Sequence, residues 1–289
     1  MASIRDLRNR IKSVGSIRQI TRAMEMVATT KLRRFQDKAV SSRPYAAEIS
    51  GLVGRLAATL GDDVSDRPLF RPGAGERVAI LLVTSDRGLC GAYNSNLFRK
   101  LEHWVSENPA VAVDYWVYGR KGYQYLQRRG RNVERFLSEP SLEQTDYRAA
   151  ARASRYLVEA FTSGKYSKVL VFYTAFESVV RYVPTEVQFL PVAKASATPT
   201  EAAATDAILD PDAATIFDRI VPRYLETRVY NALLESLTSE YASRRVSMKN
   251  ATDAAKDIGN LLKKVYNRKR QENITKELLD IVGGAEAVK

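Results

Sequence analysis

Residues 234–265, LESLTSEYASRRVSMKNATDAAKDIGNLLKKV, decide the fold. Leu234, Leu237, Tyr241, Arg244, Met248, Ala251, Ala255, Ile258, Leu262 and Val265 recur at steps of 3 and 4, and only Arg244 among them is charged. This 3.5-residue period is that of a coiled-coil seam. No proline follows Pro222, and Gly259 is the only glycine between it and Gly283. One helix can therefore run from about Pro222 to Val282, roughly 90 Å. A helix of that length needs a partner.

The other end of the chain supplies one. Between Ser3 and Ala58 the only proline is Pro44, and apolar residues fall at Ile4, Leu7, Ile11 and Val14, then at Ile17, Ile20, Met24 and Val27. Each set of four keeps the 3.5 period, but Val14 to Ile17 is a step of 3 where 4 is due, which reads as a stammer. Past Val27 the seam positions become Lys31 and Arg34, so this stretch is not expected to be an ordinary buried seam. Two terminal helices around a middle domain pair most simply as an antiparallel stalk, with the longer C-terminal helix projecting alone.

The middle is different. Residues 61–77 contain Pro68, Pro72, Gly73 and Gly75 and mark a boundary, after which the period becomes strand-like. VAILLVT, Val78–Thr84, is a continuous apolar run of the kind buried on both faces of a parallel sheet. A helix to about Glu107 follows, then a strand at 113–118, a helix at 120–129, a short strand near 133–136, a helix at about 146–162, a buried strand at 169–173 and a Pro184-interrupted edge strand at 180–190. The expected fold class is α/β: a long antiparallel coiled coil of terminal helices plus a central Rossmann-like domain with a mostly parallel sheet. The expected divisions are 1–60 for the first helix, 76–191 for the α/β domain, 192–210 for a linker of small and polar residues, and 211–289 for the last helix. Asp210-Pro211-Asp212 caps the approach to that helix, and Pro222 either restarts or kinks it.

Composition narrows the chemistry. No run of 18 apolar residues occurs in the 289, and Met1 to Arg10 has no apolar signal core, so residence in the cytoplasm or on its side of a membrane is expected. One cysteine, Cys90, leaves no internal disulfide, and one histidine, His103, leaves no histidine-based metal cluster. The net charge of +12 is uneven: residues 1–45 hold eleven Lys or Arg against three acids, and residues 219–276 hold thirteen against six. The helices thus carry more than the whole excess. An acidic protein socket, nucleic acid or an anionic membrane could each answer it, and so could a merely solvated face.

Three features of the middle domain resemble sites. SDRGLCGAYN, residues 85–94, lies where a doubly wound sheet cradles phosphate, but it lacks both G-x-G-x-x-G and the Walker Lys-Ser/Thr. A tight turn at Asp86, with Gly88 and Gly91 letting the helix pack close to the strand, is the favoured reading. Cys90 is read as a buried small residue rather than a reactive thiol, and His103 as a surface or half-buried packing residue. Tyr115, Trp116, Tyr118, Tyr123 and Tyr125 stand among Arg120, Lys121, Arg128 and Arg129, a pattern that suits single-stranded nucleic acid; alternation on the 113–118 strand argues instead that half of the 115–118 set is core.

The two ends hold more than heptads. Ile11-Lys12-Ser13, residues 19–28 (QITRAMEMVA) and Lys31-Leu32-Arg33 resemble the N-terminal signature of the gamma subunit of F-type ATP synthases. Residues 246–254 (VSMKNATDA), residues 266–278 (YNRKRQENITKEL) and Ile281 to Ala285 resemble its C-terminal signature, and residues 84–91 (TSDRGLCG) its central loop. The three motifs occur in order and span nearly the whole chain.

This resemblance implies a rotor shaft of bacterial type, standing in the hexamer of alpha and beta subunits, with the α/β domain as a foot on the membrane ring of c subunits beside the epsilon subunit. Ion flow turns the shaft, and its rotation drives the beta-subunit sites in turn; the shaft itself has no catalytic residues, cofactor, metal or nucleic-acid partner. It implies a peripheral position on the cytoplasmic face of the plasma membrane. It places Arg8, Lys12, Arg22, Met24, Arg244, Gln271 and Thr275 against the beta subunits, and Leu278, Ile281 and Val282 in an apolar bearing. Ala92, Arg245, Glu272 and Lys276 depart from the usual pattern and bear on individual contacts. Outside the resemblance, a basic coiled-coil scaffold for nucleic acid and a nucleotide switch on the α/β domain are the alternatives, and neither accounts for matched seams at both termini.

Overall fold

A computed structural model describes residues 3–193 and 210–286. The stretch read as a linker therefore lies, but for its ends, outside the described residues. The chain divides into two compact units, Met1–Thr29 with Arg244–Lys289, and Thr30–Ser243. Two long helices contribute to both: α1, Ile4–Leu60, and α5, Ala213–Glu286.

The ends of these helices follow from local chemistry. Ser3 and Asp6 form a reciprocal capping box, the Asp6 amide donating to Ser3 Oγ and the Ser3 amide to Asp6 Oδ2, each at 3.1 Å. α1 stops at Gly61, whose φ of 56° is the left-handed conformation common just past a helix. α5 starts well before Pro222, because the Asp212 carboxylate accepts from the Thr215 amide at 2.9 Å and from its hydroxyl at 2.8 Å. Pro222 then sits inside the helix. Phe217 and Val221, both buried, anchor the turns before it and offset the lost backbone bond, which costs about 3 kcal/mol.

In the second unit, β1 (Arg77–Val83), β2 (Val113–Tyr118), β3 (Val133–Leu137), β4 (Tyr166–Phe176) and β5 (Tyr182–Leu190) form one sheet in the order β3-β2-β1-β4-β5. The first four are parallel, and β5 lies antiparallel to β4 at the edge, where Pro184 is tolerated. On one face α2 (Tyr93–Glu107) and α3 (Arg120–Arg128) bury Leu97, Leu101, Trp104 and Leu126 against Ile80, Leu82, Val117 and Phe172. On the other, α4 (Tyr147–Thr162) turns Ala149, Ala150, Ala153, Leu157 and Phe161 inward, and α5 covers β4 and β5. Each fully buried Leu, Ile, Val or Phe here contributes about 1.5–3 kcal/mol. Because β2 is covered on both faces, Tyr115, Trp116 and Tyr118 are all buried, not only half of them.

The seams differ from expectation by one residue, and the difference decides what is exposed. In α1 the inward positions are Ile4, Leu7, Ile11, Val14, then Thr21, Glu25, Ala28, Leu32, Phe35 and Ala39, a 3.5 period passing through Arg18. No stammer occurs; Ile17, Ile20 and Val27 are more than half exposed instead. Leu32, Phe35, Ala39, Ile49, Val53 and Leu56 make an ordinary buried seam beyond Val27, while Lys31 and Arg34 flank it. In α5 the expected positions hold as far as Ala255 and again at Leu262, but Gly259 and Tyr266 turn inward in place of Ile258 and Val265, which face out. In α5 the step from Ala255 to Gly259 is a second 4 in a row, the drift of a 3.6-residue helix against a strict heptad, which counting apolar letters does not register.

Within the first unit the helices are antiparallel: Thr252 donates to Thr21 at 2.8 Å, and a methyl group at Gly259 would contact Val14. Seven residues along one helix match seven back along the other, so continuing this register brings Ile4 opposite Lys269. Residues 271–282 run past it, and all are exposed.

Candidate functional site

The turn after β1 is built to hold itself together. Gly122 donates its amide to Thr84 Oγ1 at 2.8 Å, and the Thr84 hydroxyl donates to the Tyr118 carbonyl at 3.0 Å. Ser85 and Asn94 pair through the Ser85 amide on Asn94 Oδ1 at 3.1 Å and Asn94 Nδ2 on Ser85 Oγ at 2.6 Å. Asp86 accepts the Arg120 amide at 3.0 Å and the Leu142 amide at 3.2 Å, which ties α3 to the segment before α4.

The glycines of close approach are not those expected. Gly88 has room for a side chain and Gly91 serves a turn at φ 56°, whereas a Cβ on Gly119, at φ 95°, would lie 2.1 Å from the Thr84 carbonyl oxygen. Gly119→Ala is expected to cost at least about 2 kcal/mol, read as a lower urea midpoint at unchanged slope. Cys90 is buried, and exposed His103 stands 3.2 Å from Glu107. Among the described residues no group of three or more His, Cys, Asp or Glu could hold a metal ion, and no helix is long and apolar enough to cross a membrane.

A second polar constellation joins α5 to the sheet within the same unit. Ser236, Ser239 and Ser243 are buried one turn apart on α5. Ser236 Oγ is 2.6 Å from the Tyr93 hydroxyl, Ser239 donates to the Thr174 carbonyl at 3.1 Å, and Ser243 donates to the Cys90 carbonyl at 2.6 Å. Tyr93 is wholly enclosed, and burial drives its pKa far above the ordinary phenol value, so it stays neutral. Nearby, Glu143 accepts from Lys31 of α1 and from the Tyr241 hydroxyl at 2.7 Å, while Phe35 stacks on Tyr241 at 5.4 Å. Burial alone would raise the Glu143 pKa; the bonds from Lys31 and Tyr241 outweigh it and lower it. One carboxylate thus holds α1 and α5 to the segment before α4. Sequence reasoning missed this set, although serines at steps of 3 and 4 beside an apolar seam were a usable signal.

The residues placed by resemblance fall as follows. Arg8, Lys12 and Arg22 are exposed on α1 and Met24 is half-buried. Arg244 is buried at 8% exposure, as its place in the seam requires. Gln271, Thr275, Leu278, Ile281 and Val282 lie on the exposed extension of α5. The register sets Arg22 and Met24 opposite residues near Ala251, so the two groups are not brought together.

This architecture is the fold of the ATP synthase central stalk. The chain is similar to a chain of the Euglena gracilis mitochondrial ATP synthase, with a TM-score of 0.66 at 18% identity over 99% of this chain and 94% of that one. It is also similar to one in the Tetrahymena thermophila mitochondrial ATP synthase central stalk and c-ring structure, with a TM-score of 0.60 at 23% identity over 80% and 99%. The ATP synthase family profile matches residues 3–288. The ATP synthase gamma chain of Cytophaga hutchinsonii is 39% identical over all of this chain and 99% of its own, and that of a Geobacter species is 37% identical over the full length of both. The chain belongs to the ATP synthase gamma chain family.

Proposed function

We propose that this chain is the central rotor shaft of the catalytic sector of an F-type ATP synthase, coupling ion-driven rotation of a membrane ring to ATP synthesis or hydrolysis on other subunits. The reading rests on one observation above the rest: in a chain matching gamma chains from end to end, an antiparallel helix pair continues as a single exposed helix bearing Leu278, Ile281 and Val282. A shaft needs an unbroken element for torque and an outer surface that slides, and α5 has both. Its partners are the alpha and beta subunits around the helix pair, with the epsilon subunit and the c ring at the α/β domain. The chain performs no bond chemistry of its own. It sits peripherally on the cytoplasmic face of a bacterial plasma membrane.

Arg8, Lys12, Arg22 and Met24 on α1, and Arg244, Gln271 and Thr275 on α5, carry the beta-subunit contacts in this reading, and the apolar end of α5 turns in the bearing. Arg244 acts from a buried position, setting the face its neighbours present. The alanine variant of Arg244, Gln271 and Thr275 together is expected to assemble and to turn over ATP more slowly. Unchanged turnover would remove these residues from the torque path.

The test of the function itself is purification of the tagged chain from its own membranes. Recovery of three alpha and three beta subunits per chain, with ATP-driven ion pumping after reconstitution, is the expected result. Recovery of the chain alone, or with nucleic acid, would overturn the proposal.

A further inference from the structure

The outer face of α4 carries Arg148, Arg152 and Arg155, spaced by 4 and 3 residues and all exposed, with Glu159 one turn beyond ending the run. Among the described residues none of the three arginines forms an ion pair or side-chain hydrogen bond, whereas Arg129, Arg131, Lys165 and Arg181 of the same unit all have carboxylate partners. Like charges at these spacings cost a helix stability, so nothing internal explains them. They border a cleft of about 440 Å³ between α4 and α5, with Arg223 on its far side. The acid there, Glu226, is buried and already accepts from the Tyr147 hydroxyl and from Arg223, each at 3.1 Å.

A second cleft of about 290 Å³ adjoins the first and shares Tyr147 and Arg223 with it. Its walls are aromatic: Tyr147 meets Tyr230 edge to face at 5.6 Å, and Tyr45 of α1 is 54% exposed. A basic ridge two helical turns long beside an apolar slot has the composition of an interface centre, where Arg and Tyr are enriched. A lone phosphate would use one or two of these arginines and leave the slot empty.

We infer that this face docks an acidic segment of a partner protein, which sets carboxylates along Arg148, Arg152 and Arg155 and one bulky apolar side chain between Tyr45 and Tyr230. The inference rests on the reading that the chain works inside a multi-subunit assembly, and adds to it the face and the chemistry of the contact.

The test uses the full chain in its intact complex. Glu159→Cys leaves every arginine in place, and Cys90 is buried, so benzophenone maleimide labels one accessible thiol of this chain, with the complex lacking the substitution as the control for thiols of other subunits. Illumination is expected to cross-link a carboxylate-rich segment of another subunit. The yield should fall about tenfold when Arg148 and Arg155 are both changed to Glu, and should also fall in high salt and in Tyr45→Ala. Adducts confined to phospholipid, to this chain or to a segment without acids, no adduct, or a yield unmoved by charge reversal would each overturn the inference. Alpha and beta content of the same preparation reports on the shaft separately, so the two ideas fail independently.

Discussion

Asp114→Ala is expected to lower the unfolding free energy of the α/β domain by about 3 kcal/mol, because a carboxylate with no exposed surface is taken from four donors, of which Arg77 and Lys165 remain partly in water. Asp114 is wholly buried on β2, at the end of the sheet where β1, β2 and β4 begin. Its two oxygens accept from Arg77 through both Nε, at 2.9 Å, and a terminal nitrogen, from Asn132 at 2.6 Å and from the Tyr166 hydroxyl at 2.9 Å, with Lys165 at 3.2 Å. Three strands and the residue before β3 therefore meet on one carboxylate. Removing it leaves the buried Tyr166 phenol without its acceptor and the partly exposed Arg77 guanidinium without its partner. Urea unfolding of the isolated chain measures the loss, and a cost under about 1 kcal/mol would show that water replaces the carboxylate.

The same site gives a pH dependence of definite sign. Burial alone would raise the Asp114 pKa, but the bonds from Arg77, Asn132, Tyr166 and Lys165 prevail and hold it well below its ordinary 3.8. The group's folded pKa is depressed, so its contribution is complete above the unfolded value and is lost as pH falls through the folded one. The wild-type chain should lose stability below about pH 4 more steeply than Asp114→Asn, which has no such proton to take up. Parallel slopes would assign the acid sensitivity to other carboxylates.

The second large effect concerns the attachment of α5. Ser236→Leu forces a branched side chain into a site with no exposed surface and strands the Tyr93 hydroxyl, for a combined cost of about 2–5 kcal/mol. Ser236→Ala, which adds no bulk but removes the partner of the Tyr93 hydroxyl and the long 3.5 Å bond from the Thr174 amide, should cost about 1–3 kcal/mol. If α5 receives its torque through this row, the alanine variant of Ser236, Ser239 and Ser243 should hydrolyse ATP in the assembled complex yet pump fewer ions per ATP. A stability loss with coupling intact would leave these serines a packing role alone.

Much of this architecture was legible from periods. The switch from steps of 3 and 4 to a continuous apolar run at Val78 located the sheet, and the 113–118 strand and the helix at Arg120 were placed to within a residue. The seams were less readable, because Thr21, Glu25 and Gly259 do not look apolar in a letter count while the outward Ile17, Ile20 and Ile258 do. Small residues let two helices approach, and what faces inward is then decided by fit rather than hydrophobicity. The start of α5 was readable from Asp210-Pro211-Asp212, but whether Pro222 restarts the helix was not, because Pro222 is a breaker locally and only the packing of Phe217 and Val221 overrides it. The clamp at Glu143 was out of reach altogether, since its partners Lys31 and Tyr241 stand 112 and 98 residues away in sequence.

The small inward residues of the first unit carry a mechanical consequence. Thr21, Ala28, Ala255 and Gly259 let α1 and α5 lie close together, which makes that part of the molecule slender. The torsional rigidity of a rod rises steeply with its radius, so a slender pair yields elastically before it transmits load. Bulkier residues at these four positions are expected to stiffen the pair and tie its two ends more closely in time.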